Sequence, residues 1–349
     1  MTWLGVDLGS RIERTVALVV VVVLALGPFV FSNYWVSFVL TQVFWYAVLA
    51  MSMIFLSAYA GMVSLAQVSL FGISGFVLGN VVTNVASGNT KGLNLGWNPW
   101  IGILLGITFA TVIGLIFGAL ASRSAGIYFL MITLTFAVLC NYFFGQVTLL
   151  SGFSGISNIY QRAPGFLGGD VQHHANRLYY LSFVVALAVY ALIRYIVRTP
   201  FGIALQGIRD DPVKMSSLGY NVSLHRTLAF AFSSFLASLA GVLFVWWNGH
   251  IDPATINLTA VLDLLTLCVI GGLYRIEGAF VGAFAFVEIN NQIRDVEVPW
   301  IGGTFNTVIG LIFLAIIVVS PGGLIGMWGF VKEQLRRGAR AAPVEAGAG

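Results

Sequence analysis

Residues 198–226 read RTPFGIALQGIRDDPVKMSSLGYNVSLHR, and apolar segments long enough to cross a bilayer lie on both sides of them. This polar interruption carries Arg198, Arg209, Lys214 and Arg226, with Asp210 and Asp211 between them. It reads as two short helices, each with its own start signal. Thr199 caps the first and Pro200 occupies its first turn; Asp211 and Pro212 repeat the arrangement for the second. Phe201, Ala204, Leu205 and Ile208 fall at i, i+3, i+4 and i+7, which makes one apolar face. The second helix runs to Leu218 and stops at Gly219, a residue suited to the left-handed conformation beyond a helix end. A helical hairpin with an apolar stripe on the basic side of a membrane is a docking surface for a soluble partner. The plainer reading is a connector between two spans; two capped helices in one loop favour docking.

Outward from this hairpin the chain is apolar almost throughout. Hydrophobic residues make up 58% and charged residues 9%, where a soluble domain has roughly 45–50% and 25%. Mean hydropathy is +0.93. The fold class is therefore all-α: a polytopic transmembrane bundle with room for about ten helices. Residues 1–331 form one transmembrane domain, and 332–349 form a basic tail with the composition of a disordered end. The net charge of +4 is scattered over loop ends, which excludes a nucleic-acid footprint. Cys140 and Cys268 lie inside apolar segments and read as small core hydrophobes.

Arg11 and Arg14 precede an apolar run over 15–31, longer than the core of a signal peptide and without a small-x-small cleavage site, so it reads as a retained helix. Residues 34–60 form a second span. Residues 61–82 are apolar but interrupted by Gly61, Ser64, Gln67, Ser69, Gly72, Ser74, Gly75, Gly79 and Asn80. Lipid leaves such groups unsatisfied, so this segment should face other helices or a cavity. Further spans cover 100–121, 126–145, 178–197, 227–247, 258–273, 278–293 and 300–320. Arg194, near the end of one of them, can snorkel to the surface. A second polar loop over 148–177 holds His173 and His174.

With the N-terminus in the cytoplasm and ten alternating spans, cytoplasmic segments hold 13 of the 17 Lys and Arg residues. The other side holds Lys91, Arg162, Arg177 and Arg294. The positive-inside bias thus places both termini and the hairpin in the cytoplasm.

The catalytic readings are weak. G-x-S-G occurs at 72–75 and 152–155, but the four histidines, His173, His174, His225 and His250, fall in loops or at a span edge. A serine nucleophile inside the membrane would have no base. The adjacent histidines lack a second pair at ligand spacing, so no metal site is expected. Asp210 and Asp211 resemble paired acids, but Asp211 caps a helix and Arg209 is adjacent. Asp263 and Glu288, with Asn290 and Asn291 nearby, are the intramembrane candidates for an ion-coupled transporter or channel, the main alternative on the residues alone. No G-x-x-x-x-G-K-[S/T] loop is present, so the chain binds no nucleotide by that motif. Ser64, Gln67, Thr133, Thr135 and Asn141 are the polar groups of otherwise apolar spans; they line a path or bond their own helices.

Several blocks resemble a family. GMVSLAQ at 61–67 followed by FGISG at 71–75 looks like the G-x-x-SLG…F-x-G-x-GAY stretch of branched-chain amino acid ABC importer permeases of the LivM type. SAGIYFLMITL at 124–134 is similar to that family's R-x-x-G-x-YF-x-x-x-TL, and SGFSGI at 151–156 resembles its T-G-G-x-x-G-I loop. The hairpin, from Thr199 to Asn221, looks like S-PFGRAL-x-AIRD-x-x-x-A-x-x-LG-x-N. Ala240 and Gly241, VIGGL at 269–273, and PGGL at 321–324 fit later blocks.

The resemblance implies a non-catalytic permease subunit in a bacterial inner membrane. It implies a related second permease subunit as heterodimer partner, membrane lipid around both, two cytoplasmic ATPases and an extracytoplasmic substrate-binding protein. ATP and Mg would be bound by the ATPases, and this chain would bind no cofactor. The expected solutes are branched-chain amino acids, with urea and sugars carried by related permeases. The ATPase-coupling residues would be Phe201, Gly202, Leu205, Ile208, Arg209, Asp210, Asp211, Pro212, Leu218 and Gly219, with Phe201, Leu205, Ile208 and Leu218 as contacts and Gly219 setting the loop exit.

Overall fold

A computed structural model describes residues 19, 21–30, 32, 34–84, 92–124, 126–159, 163–164, 175–293 and 323. The expected last span over 300–320, the tail, and His173 and His174 lie outside these residues, and the first span falls on them only in part. The described residues are helical with no strand; the one β feature among them is a bridge between Ile156 and Ile251.

Helix α1 (Trp35–Ala60) is the spine. It opens and closes in π-helical turns, Trp35–Leu40 and Leu56–Ala60, around a regular stretch, Thr41–Phe55. At about 1.5 Å per residue it is roughly 39 Å long, more than the ~30 Å of a hydrocarbon core. Gly61 ends it at φ +67°, and a non-helical segment leads to α2 (Gln67–Val82). Then follow α3 (Pro99–Ala121), α4 (Ile127–Gln146), α5 (Ala175–Arg198), the hairpin helices α6 (Pro200–Asp210) and α7 (Pro212–Ser217), α8 (Val222–Asn248), a 3-10 turn (Pro253–Ile256), α9 (Leu258–Gly271) and α10 (Gly278–Ile293).

Polar interruption decides which apolar helix goes inside. Every residue of α2 except Val77 is buried, as its Ser, Gly and Asn content requires. Ser74 Oγ lies 3.0 Å from the Ser238 carbonyl of α8, so the serine of the first G-x-S-G joins two helices. Hydropathy alone would choose wrongly. α3 has the higher mean hydropathy, 2.4 against 1.9 for α1, yet 22% of its apolar window is buried against 89%. The buried face of α3 is Gly102, Gly106, Ala110, Gly114 and Gly118, one small residue every fourth position. A Cβ on Gly106 would stand 2.7 Å from the Ser74 carbonyl oxygen, and one on Gly118 would stand 2.9 Å from Phe230 Cβ. The ridge lets α3 seat its backbone on α2 and α8, leaving Leu104, Phe109, Ile116 and Leu120 exposed toward lipid.

Arg194 does not snorkel. Its guanidinium is 2.6 Å from Glu277 Oε1 and donates to Tyr190 Oη at 2.8 Å, tying the end of α5 to the α9–α10 turn. Pairing replaces hydration because Glu277 stands within reach at the same end of the bundle.

Candidate functional site

The polar residues singled out in the spans separate into three settings. Ser64, Gln67 and Thr133 come together, each at most 2% exposed. Ser64 Oγ accepts from Ala66 N (3.3 Å) and Gln67 Nε2 (3.4 Å), and Thr133 Oγ1 accepts from Leu65 N at 3.3 Å. The chain is non-helical over 61–66, so its amides need acceptors, and these side chains supply them. Two residues that sequence reasoning passed over complete the cluster: Ser52 Oγ is 3.3 Å from Gln67 Oε1, and Ser233 Oγ donates to the Ser52 carbonyl at 2.6 Å. Thr135 stands apart on the exposed face of α4, bonded to its own helix at Met131 O, 2.9 Å away. Asn141 reaches outward from α4 and donates to the Pro253 carbonyl at 2.6 Å.

The end of the molecule around Pro253 is a layered seal. Ile156 and Ile251 exchange hydrogen bonds at 2.8 and 3.0 Å, and Ile159 N donates to Gly249 O at 3.0 Å. Gly155 sits at φ +67° with the Ile251 carbonyl where a Cβ would go, so the SGFSGI loop docks on this turn only with glycine there. Asp252 caps the 3-10 turn, accepting from Thr255 N (2.9 Å) and Thr255 Oγ1 (2.7 Å), with His250 Nε2 3.5 Å away. The bond from His250, with Thr255 behind it, lowers the Asp252 carboxyl from its usual 3.8 to about 2.

Beneath this seal lies a cavity of about 340 Å³. Trp45 and Leu49 of α1, Phe71 of α2, Phe244 of α8, Thr255 and Asp263 stand around it. The aromatic wall is continuous. Trp45 meets Phe71 at 5.8 Å and Phe244 at 5.0 Å between centroids, and Phe71 meets Phe244 at 5.2 Å. Nothing in the period of the sequence marks these rings as one group, because they come from three helices. Asp263 was visible only as an isolated intramembrane acid.

At the opposite end stands the hairpin. Thr199 accepts from Gly202 N, Asp211 accepts from Val213 N and Lys214 N, and Gly219 takes φ +91°. The caps and the stop thus match the sequence reading. Lys214 Nζ lies 2.9 Å from Asp211 Oδ2; that bond holds the Asp211 carboxyl below its usual range and raises the Lys214 ammonium.

The stripe, however, points the other way. Leu205 and Ile208 are fully buried, Ala204 and Gly202 are buried, and Phe201 is half-buried, stacked on His225 at 5.8 Å. These side chains fasten the hairpin to its own bundle and offer no face to a partner. A Cβ on Gly202 would stand 2.5 Å from Val197 Cα, so α6 folds closely onto the end of α5. The open surface is instead Ile203, Val213, Leu218 and Tyr220, with Leu218 73% exposed. Of the four expected contacts, Leu218 alone is fully open. Arg209 bonds Asp210 (2.9 and 3.0 Å) and donates to the Ala58 carbonyl at the end of α1. Pro212 starts α7.

A sequence profile of the family described as "Branched-chain amino acid transport system / permease component" matches residues 35–319. The chain is 29% identical over 164 residues to a probable branched-chain amino acid transport permease protein LivH of Methanocaldococcus jannaschii. That match covers 45% of this chain and 51% of the relative, so it spans about half of that protein. It is 24% identical to the same organism's probable LivM permease, over 73% of this chain and 77% of the relative. It is 23% identical to the high-affinity LivM permease protein of Escherichia coli K12, over 91% of this chain and 76% of the relative. No solved structure matches the chain. Profile, helical bundle and relatives agree: this chain belongs to the permease-component family of branched-chain amino acid transport systems, and it is a multi-pass membrane protein.

Proposed function

We propose that the chain is the permease subunit of an ATP-binding cassette importer for branched-chain amino acids, working beside a related second permease in a bacterial inner membrane. The observation that carries this reading is the hairpin. Of two capped helices, α6 is fastened to the bundle by Leu205, Ile208 and Arg209, and the hairpin presents Ile203, Val213, Leu218 and Tyr220 outward. A loop that only joined two spans would need neither the caps nor the staple. Two cytoplasmic ATPases that bind ATP and Mg would dock on this surface and on its counterpart in the second subunit. An extracytoplasmic binding protein would deliver solute at the sealed end.

Contacts within the bundle support the orientation. Arg194 with Glu277, and Arg209 with Ala58, join segments that the positive-inside count assigns to the cytoplasm. Asn141 with Pro253, and Ile156 with Ile251, join segments that it assigns to the other face. The path for solute runs from the cavity past Ser64, Gln67 and Thr133, and it opens when the hairpin is pulled.

The test is uptake of radiolabelled leucine into proteoliposomes holding this chain, its second permease, both ATPases and the binding protein. Accumulation should require ATP on the hairpin side. Accumulation without nucleotide, or driven by a proton or sodium gradient, would overturn the reading in favour of ion coupling.

A further inference from the structure

Asp263 sits in α9 at the edge of the aromatic cavity, half-buried, and among the described residues no hydrogen bond or ion pair holds its carboxylate. Among the described residues Glu288 is also without a partner, but it does not border the cavity, and four other acids are engaged. Asp211 and Asp252 cap helices, Asp210 binds Arg209, and Glu277 binds Arg194. A carboxylate removed from water and left unpaired is costly, so an unpaired one beside a cavity is a place for a cation. The wall opposite has the chemistry of a cation site as well. Trp45, Phe71 and Phe244 present π systems, which attract ammonium groups and also accept hydrocarbon. Asn257 adds a donor, since its side-chain oxygen is committed to Ala260 N at 2.9 Å and, among the described residues, its amide nitrogen is not committed.

We infer that this cavity is a binding station for a primary ammonium attached to a small apolar body, with the Asp263 carboxylate accepting from the ammonium and the Trp45–Phe71–Phe244 wall covering the hydrocarbon. The Asn257 amide nitrogen then serves an anionic oxygen on the same solute, which makes the station suited to a zwitterion. The volume lies at the low end of the roughly 300–1,000 Å³ of small-molecule pockets, the size of one amino acid. The inference deepens the proposed function by locating solute in this subunit, beneath the Ile156–Ile251 seal. It rests on that reading for the identity of the solute but not for the chemistry of the site.

The experiment is equilibrium dialysis of the detergent-solubilised complex against radiolabelled isoamylamine, which has the apolar branch and the ammonium but no carboxylate. Isocaproate, which keeps the branch and carboxylate but has no ammonium, serves as competitor. Leucine uptake is measured on the same preparations. Asp263→Asn removes the charge without disturbing any bond among the described residues, so folding should be retained. Saturable amine binding should fall about tenfold or more in this variant, Asp263→Glu should keep most of it, and isocaproate should compete poorly. Amine binding unchanged within about twofold in Asp263→Asn, or isocaproate competing as well as unlabelled amine, would overturn the site. Wild-type complex that binds amine through Asp263 but takes up no leucine would uphold the site and overturn the solute. Leucine uptake intact with no amine binding would do the reverse.

Discussion

Asp252 shows how much one side chain can hold. It caps a short turn, takes a bond from His250, and sits where the SGFSGI loop and Asn141 both attach. Its carboxyl titrates lower in the folded protein than in the unfolded chain, at about 2 against 3.8. The stability it contributes is therefore fully present above the unfolded value and lost as pH falls toward the folded one. Thermal unfolding of Asp252→Asn and wild type should differ at pH 5, and the gap should close on acidification below about pH 4. A gap that persists unchanged at pH 3 would point away from the carboxylate. Arg209 is the second such residue. Removing it in Arg209→Ala should cost less local stability than the roughly 1.5–3 kcal/mol of a charged hydrogen bond, because the group is part-exposed. ATP-driven uptake should fall more than protein yield does.

The hairpin and the α3 ridge make their predictions as elements. The caps, both proline starts and the glycine stop of the hairpin were legible in residues 198–226 because capping is local chemistry. The direction of its stripe was not. A helix periodicity says which residues share a face and is silent on whether bundle or partner covers it. Leu205→Asp places a charge in a fully buried position and should unfold the hairpin, at a cost of about 3–5 kcal/mol, with lost expression. Leu218→Asp alters a fully open position and should leave the melting temperature nearly unchanged, while ATPase activity ceases to respond to binding protein and solute. Equal loss of folding in both variants would return Leu218 to a structural role. In α3, a small residue at every fourth position from Gly102 to Gly118 was a readable signal that the hydropathy profile hid. Gly106→Leu should overpack the contact with Ser74, destabilise by about 1–3 kcal/mol or more, and lower the yield of folded complex.

At the scale of the molecule, composition was enough for the class of fold, and ordered motif blocks were enough for the family. The arrangement of helices was less accessible. Spans of similar hydropathy occupy the centre, as α1 and α8 do, or the rim, as α3, α4 and α5 do. Polar interruption identified α2 as central but gave no reason to single out α1. The cavity was less legible still, since its rings and its acid come from separate helices and meet only in three dimensions. Ser64, Gln67 and Thr133 proved to be neighbours; Thr135 and Asn141 are polar for local reasons, a helix backbone and a turn carbonyl.

Helix α1 carries Trp45 at one depth and the Ala58 carbonyl, gripped by Arg209, at another. Thirteen residues of helix separate the two, roughly 20 Å. Ala58 lies inside the terminal π turn, a winding that accommodates one residue more than an α turn. Tightening that turn would re-phase the rod above it by one residue, about 100° of rotation. A tug of a few ångströms at Arg209 would then reach the indole as a swivel instead of a shove, as a worm drive turns its wheel.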